Sequence, residues 1–205
     1  MKSIHITLLA VFSILMTGDL MAVEEAKYTV SLKNEMLEIR EYEASIIAEV
    51  IVNDNFEDAS NAAFRKLFKY ISGNNSSRSD IAMTAPVKQE SQTEKIAMTA
   101  PVGQRAAEQG WAVSFMMPAS YTMDTIPLPT DSSIVLREVP AHHAAAIRYS
   151  GGWSEKKYKK HLDLLQNWIE QNSLEPNGQP LWARYNAPFV PWFMRRNEIL
   201  IPIAL

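Results

Sequence analysis

Cysteine is absent from this chain of 205 residues. That excludes disulfide bonds, zinc–thiolate sites, iron–sulfur clusters, thioether-linked cofactors and a lipidated N-terminal Cys together. Histidine is scarce at 4 residues, which leaves little from which to build a multi-His metal site. No GxSxG, HExxH or phosphate-cradling glycine loop occurs, so nothing marks the chain as an enzyme. Charge of one sign is lacking as well: 20 Lys+Arg stand against 23 Asp+Glu, a net −3 that gives no basic field for nucleic acid. What is plentiful is apolar mass, 47% of residues, enough for a sizeable core.

One long apolar run occurs, from Ile4 to Met16 after Lys2. It is shorter than the roughly 20 residues a spanning helix needs and suits the core of a signal peptide. Gly18-Asp19 breaks it, and Ala22 offers a small residue for cleavage. The expectation is a secretory signal over residues 1–22, with an uncleaved N-terminal anchor as the second reading, and a domain over 23–205. The mature protein would then be exported, to the periplasm or outside the cell, with no membrane insertion after cleavage.

Beyond the signal the chain repeats itself at an offset of 97 residues. Ile39-Arg40-Glu41-Tyr42 lies over Leu136-Arg137-Glu138-Val139, Ala48 over Ala145, Phe56 over Trp153, Leu67 over Leu164 and Ile71 over Trp168. Each half reads as strand, turn, helix, Pro-punctuated strand, strand. The first strand is expected over Leu37 to Val52 and its counterpart over Ile134 to Tyr149. Helices are expected from Phe56 to Ser72 and from Ser154 to Asn172. In the second, Tyr158, His161, Leu162, Leu165, Trp168 and Ile169 face inward. The fold class is therefore α+β: a duplicated βαββ forming one distorted antiparallel barrel or sheet flanked by two helices. Glu57-Asp58 reads as the acidic start of the first helix and Glu24-Glu25 as part of a tail.

A shorter repeat lies inside the first half. Ile81-Ala82-Met83-Thr84-Ala85-Pro86-Val87 recurs word for word as Ile96 to Val102, separated by the polar hairpin loop Lys88 to Lys95. Pro cannot donate to a ladder, so each copy belongs at a strand end or sheet edge, with Met83 and Met98 filling core gaps. This doubled IAMTAPV, the opening LEIREYEASIIAEV and the closing ARYNAPFVPWFMRRNEILIPI resemble the SOUL haem-binding family from about Tyr28 to Ile203. The resemblance implies a duplicated distorted barrel with two flanking helices. It also implies non-covalent binding of haem or another porphyrin in an apolar cleft between the first helix and the loop before the final strand.

A tetrapyrrole needs an apolar slot, aromatic faces and cations for two propionates. The segment Ala187 to Arg196 is unusually aromatic for a loop, and Phe189, Trp192, Phe193, Met194 and Arg195 are its candidates, with Arg196 the alternative to Arg195. On the first helix Arg65, Phe68 and Lys69 share a face with Asn61 and Ser72 beside the core stripe, Arg65 and Lys69 being candidate propionate contacts. Axial ligation of iron has weak support. His142 and His143 are adjacent on a strand, and His161 falls on the core side of the second helix. Met194, Tyr70 and Tyr185 are poor substitutes. Haem is thus expected to be held by porphyrin faces and propionates with no strong protein ligand. The alternative function is an effector-binding or scaffold module of the same duplicated fold with no haem role, which carboxylates lining the cleft, such as Glu38, Glu41 or Glu49, would favour.

Overall fold

Asn55 and Ser154 start the two helices. Each stands in extended backbone, and its side-chain oxygen accepts from the first turn, Asn55 from the N–H groups of Glu57 and Asp58, Ser154 from that of Lys157. Helix α1 runs over Phe56–Ile71 and α2 over Glu155–Gln171. This computed structural model describes residues 23–78 and 93–204. Residues 1–22, where a signal is expected, the first IAMTAPV copy and most of the loop after it lie outside the described residues.

The strands are β1 (Glu24–Glu25), β2 (Tyr28–Asn34), β3 (Leu37–Tyr42), β4 (Ser45–Val52), β5 (Asn75–Ser76), β6 (Thr99–Ala100), β7 (Val102–Ala106), β8 (Trp111–Met116), β9 (Leu128–Pro129), β10 (Ile134–Val139), β11 (His142–Ser150), β12 (Glu175–Pro176), β13 (Leu181–Arg184) and β14 (Arg196–Ala204). The main sheet is antiparallel in the order β10-β4-β8-β7-β13-β14-β11-β3-β2, with β12 beside β14. Its order is symmetric about the β7–β13 pair, as a duplication requires. The halves are interleaved, because β3 of the first pairs with β11 of the second and β10 of the second pairs with β4 of the first. Neither half has a sheet of its own, so the chain folds as one domain. At the β7–β8 hairpin Gly110 has φ +81°, and a Cβ there would meet the Val52 carbonyl oxygen at 2.2 Å.

Both helices cover one face. Ala63, Leu67, Tyr70 and Ile71 of α1 pack with Ala48, Val50, Val113 and Phe115. Leu165, Trp168 and Ile169 of α2 pack with Ala145, Ile147, Ile199 and Ile201. The opposite, concave face holds a smaller cluster of Tyr42, Ala144, Ala146, Ala183 and Leu200. Strand β11 is buried on both sides, which is why it reads as an apolar run.

Four expectations change. The strand over Leu37 to Val52 is two strands broken at Glu43-Ala44, and that over Ile134 to Tyr149 is two broken at Pro140-Ala141, where Pro offers no ladder donor. The gap-free offset of 97 fails in the helices. Leu164 is exposed and Leu165 buried, so Leu67, Tyr70 and Ile71 recur 98 residues on as Leu165, Trp168 and Ile169. Glu24-Glu25 is no free tail: it forms β1, parallel to β6, with Glu25 paired to Arg196 at 2.8 Å. The second IAMTAPV copy spans β6, a cis Ala100–Pro101 bond and the start of β7, with Met98 against the core.

Candidate functional site

The β13–β14 loop is aromatic, outward-facing and held. Pro191 precedes a 3-10 turn over Trp192–Met194, closed by the Met194 N–H on the Pro191 carbonyl at 2.9 Å. Arg195 staples the loop from within, its Nε donating to Val190 O at 2.7 Å and its Nη2 to Pro188 O at 2.6 Å. Phe189, Trp192, Phe193 and Met194 are left 87%, 59%, 60% and 65% exposed. Trp192 and Phe193 meet edge to face at 5.6 Å. Cations flank the rings: Lys157 Nζ lies 5.4 Å from the Trp192 centroid, and the Arg195 guanidinium 4.3 Å from that of Trp153.

On α1, Arg65, Phe68 and Lys69 form the exposed face expected of them. Phe68 stacks on Phe64 at 5.8 Å, and Phe64 meets Phe115 edge-on at 5.2 Å. Beside Phe68 lies a cleft of 360 Å³ lined by Ile71, Ser72, Lys95, Ile96 and Met98. Among the described residues neither Arg65 nor Lys69 makes a hydrogen bond or a close ion pair, and Lys69 acts on the Asp131 carboxylate from further off. A larger concavity of 580 Å³ follows the outer flank of α2 between Glu155 and Asn167. Its walls are charged or polar apart from Leu164, so it offers a flat macrocycle little to pack on.

Strand register relates the two surfaces. Arg184, the last residue before the loop, pairs with Val102, and Val102 pairs with Phe115, on which α1 rests through Phe64. The loop and the C-terminal half of α1 therefore lie toward one end of the sheet, and Arg184 and Phe115, on which they rest, are two strand spacings of roughly 5 Å each apart. The ring and cation contacts of the loop run to α2 and Trp153, and none joins Arg65, Phe68 or Lys69 to it among the described residues.

The second arginine of the pair is committed elsewhere. Arg196 bonds Glu198 at 2.9 Å and Glu25 at 2.8 Å and lies 3.7 Å over the Tyr185 ring. Of the potential iron ligands, the Tyr70 hydroxyl donates to Pro127 O and that of Tyr185 to Glu198. Burial raises both phenols' pKa values, and the Glu198 charge raises that of Tyr185 further. His142 stacks on Tyr42 at 5.4 Å, and His161 stacks on Tyr149 at 3.7 Å with its Nδ1 on Lys157 O. Met194 alone of these six faces outward on the loop; His143 is half-buried at the start of β11.

Sequence reasoning passed over Trp153, Lys157, Trp182 and Arg184, which back the aromatic loop. Trp153 is signalled by its place just after Gly151-Gly152. Arg184 carries no local signal, being one basic residue at the end of a short strand.

Comparison with known proteins adds three facts. Heme-binding protein 1 of Xenopus laevis is 24% identical over 163 residues, covering 79% of this chain and 80% of that protein, and its Xenopus tropicalis counterpart matches equally. Among solved structures, the EcmrR C-terminal domain superposes with a TM-score of 0.53 at 13% identity, covering 86% of this chain and 98% of that one. A Listeria innocua protein described as a hydrolase gives 0.56 at 10% identity, covering 85% and 94%. Identities so low show a shared fold and nothing about chemistry. The sequence matches the SOUL heme-binding protein family across residues 23–202, nearly all of the domain, and the chain belongs to that family.

Proposed function

We propose that this protein is an exported, non-enzymatic binder of haem and related porphyrins, which it holds between the β13–β14 loop and the Phe68 face of α1. One observation carries the location: Phe189, Trp192, Phe193 and Met194 stand exposed on a loop that Arg195 and two prolines keep in shape. A preformed aromatic surface binds without first ordering itself. Arg65 and Lys69 on α1 and Lys157 on α2 supply cations for propionates at the rim, and Met194 is the loop's one side chain with any affinity for iron. Haem when bound supplies a flat conjugated face and two carboxylates, and the residues present answer both without an axial histidine. The apolar run Ile4 to Met16 supports export.

The effector-binding alternative finds no support on the concave face. Glu49 is held by Arg105 at 2.8 Å and Arg137 at 3.4 Å, and Glu38 by Arg40 and Lys33. Glu41 is exposed, so no buried carboxylate waits for a cationic ligand among these three.

The test is a titration of residues 23–205 with hemin and, in parallel, with iron-free protoporphyrin, followed in the Soret band and by Trp quenching. Saturable one-to-one binding of both is expected. Binding of hemin alone would return His142, His143 or His161 as an iron ligand, and failure of both would end the tetrapyrrole reading.

A further inference from the structure

Among the described residues five buried side-chain polar atoms have no hydrogen-bond partner: Tyr149 OH, Trp153 Nε1, Trp182 Nε1, Arg184 Nε and Asn197 Oδ1. All five belong to one place. Tyr149 pairs with Asn197, and Asn197 with Arg184, so the three stand in a row across β11, β14 and β13. Residues paired directly in a ladder share a face, here the helix-covered one. Trp182, two residues before Arg184, lies on that face too, and the Arg184 guanidinium is 4.9 Å from the Trp182 centroid and 5.2 Å from that of Trp153. The Trp182 indole approaches the Tyr149 hydroxyl without reaching hydrogen-bonding geometry.

Arg184 differs from the other inward arginines. Arg40 and Arg196 share Glu198, and Arg105 and Arg137 share Glu49. For Arg184 the one polar contact is Gln104 Oε1 at a long 3.5 Å, and no described carboxylate faces it. Burial lowers its pKa to about 10, the Tyr149 phenol opposing the shift only in part. A cation whose Nε is buried without a counter-charge, beside N–H groups that bond nothing, is costly to keep.

We propose that Arg184, with the indole N–H groups of Trp153 and Trp182 and the Tyr149 hydroxyl, forms an internal site for one carboxylate group. Three N–H donors that cannot accept, Trp153 Nε1, Trp182 Nε1 and Arg184 Nε, stand with one pure acceptor, Asn197 Oδ1, and with the Tyr149 hydroxyl, which can do either. Water brings as many donors as acceptors and leaves that surplus standing. A carboxylate accepts at about four lone-pair positions and supplies the missing charge. Arg184 and Trp153 are half-buried, not sealed, and the aromatic loop forms the roof through Arg195 over Trp153. The group admitted is either a free small acid or the carboxylate arm of a ligand lying on that loop. The site stands on its own atoms and does not depend on the tetrapyrrole reading.

The experiment is a titration of the full chain with sodium acetate against sodium chloride at matched ionic strength, followed by Trp fluorescence and thermal midpoint. Acetate should change both saturably and chloride should not. Arg184→Met should weaken acetate binding roughly ten- to hundredfold, the usual effect of losing a charge-assisted hydrogen bond. Arg184→Lys, which keeps the charge and loses the planar fork, should fall between and serves if the Met variant does not fold. Identical responses to acetate and chloride, or unchanged acetate affinity in either folded variant, would overturn the proposal. Protoporphyrin and its dimethyl ester separate the two sources: a weaker ester in the wild type and no difference in Arg184→Met assigns the carboxylate to the porphyrin, and equal binding assigns it to a free acid. Acetate binding without porphyrin binding would end the tetrapyrrole reading alone, and the reverse would end this one alone.

Discussion

Arg40 and Glu198 grip each other in a buried two-pronged pair, Nη1 to Oε2 at 2.7 Å and Nη2 to Oε1 at 3.2 Å, from strands 158 residues apart in the chain. Arg40 belongs to the first half on β3 and Glu198 to the second on β14, with β11 between them. Their side chains are 1% and 0% exposed. Burial would discharge both. The Glu198 hydrogen bond raises the Arg40 pKa instead, and Arg40 with Arg196 draws Glu198 below the usual carboxylate value. Tyr42 accepts from Arg40 and Tyr185 donates to Glu198, so the pair is saturated and ties the two halves through the concave face.

Glu198→Gln is therefore expected to destabilise the fold by about 3–5 kcal/mol, because it removes the buried charge that Arg40 and Arg196 share and leaves Arg40 with Glu38 alone and Arg196 with Glu25 alone. The loss should be read as a lower urea midpoint at neutral pH. In the wild type the carboxylate's contribution is present above the unfolded value of 4.5 and is lost as pH falls through the depressed folded value. A Gln variant as stable as the wild type at neutral pH would show that the pair carries no such role.

The run Ala144-Ala145-Ala146 gains its explanation from this pair. Ala144 and Ala146 lie on the concave face with Tyr42 and Leu200, and their small side chains clear the path from Arg40 to Glu198 across β11. Ala146→Leu should cost at least the roughly 1–3 kcal/mol of ordinary overpacking, and more if the ion pair parts. Combined with Glu198→Gln the two losses should be less than additive, since both act on one contact. Additive losses in a double-mutant cycle would separate the alanines from the pair.

The helices were legible because period and caps agree. Asn55 before Phe56 and Ser154 before Glu155 are capping residues standing ahead of amphipathic runs, and both helices begin there. The strand breaks were less so, since Glu43-Ala44 looks no different from the strand around it. Strand β2 escaped notice because it is an edge strand with Val30 and Leu32 exposed, so its alternation marks no core. At the site, the aromatic loop was readable from Pro188 to Met194 because apolar mass between prolines is rare in loops. Nothing local distinguished Arg195, which bonds its own loop, from Arg196, which Glu25 and Glu198 hold. That difference is set by residues up to 171 positions away.

Alkaline pH should unfold the protein through its tyrosines. Burial raises the pKa values of Tyr42, Tyr70, Tyr149 and Tyr185 above the ordinary 10.0 and moves those of Tyr121 and Tyr158 to about 12. A folded value above the unfolded one means stability that is complete below pH 10.0 and is lost as pH rises through the folded values. Arg184 runs the other way, its lowered value relieving a penalty as pH rises above about 10, but one group opposes six. The urea midpoint should hold steady up to pH 10.0 and fall towards pH 12, with most phenolate absorbance appearing only on unfolding. Titration of these phenols near 10.0 in the native state would contradict their burial.

Trp192 and Phe193 offer the sharpest separation of binding from folding. Both project from the 3-10 turn, touch each other edge to face, and belong to none of the three core clusters. Changing both to Ala should leave the urea midpoint within about 0.5 kcal/mol of the wild type, as exposed substitutions usually do. Protoporphyrin affinity should fall roughly tenfold or more, since each lost ring contact is worth about 0.5–1.5 kcal/mol before burial is counted. Phe68→Ala on α1 should weaken binding by a comparable factor if the macrocycle reaches both surfaces. Loss in the loop variant with none in Phe68→Ala would confine the ligand to the side of the loop that Trp153 and Lys157 back, where the ring–cation contacts already lie. Unchanged affinity in both variants would remove the aromatic surface from the binding site, and the cations Arg65 and Lys69 would have no macrocycle beside them to serve.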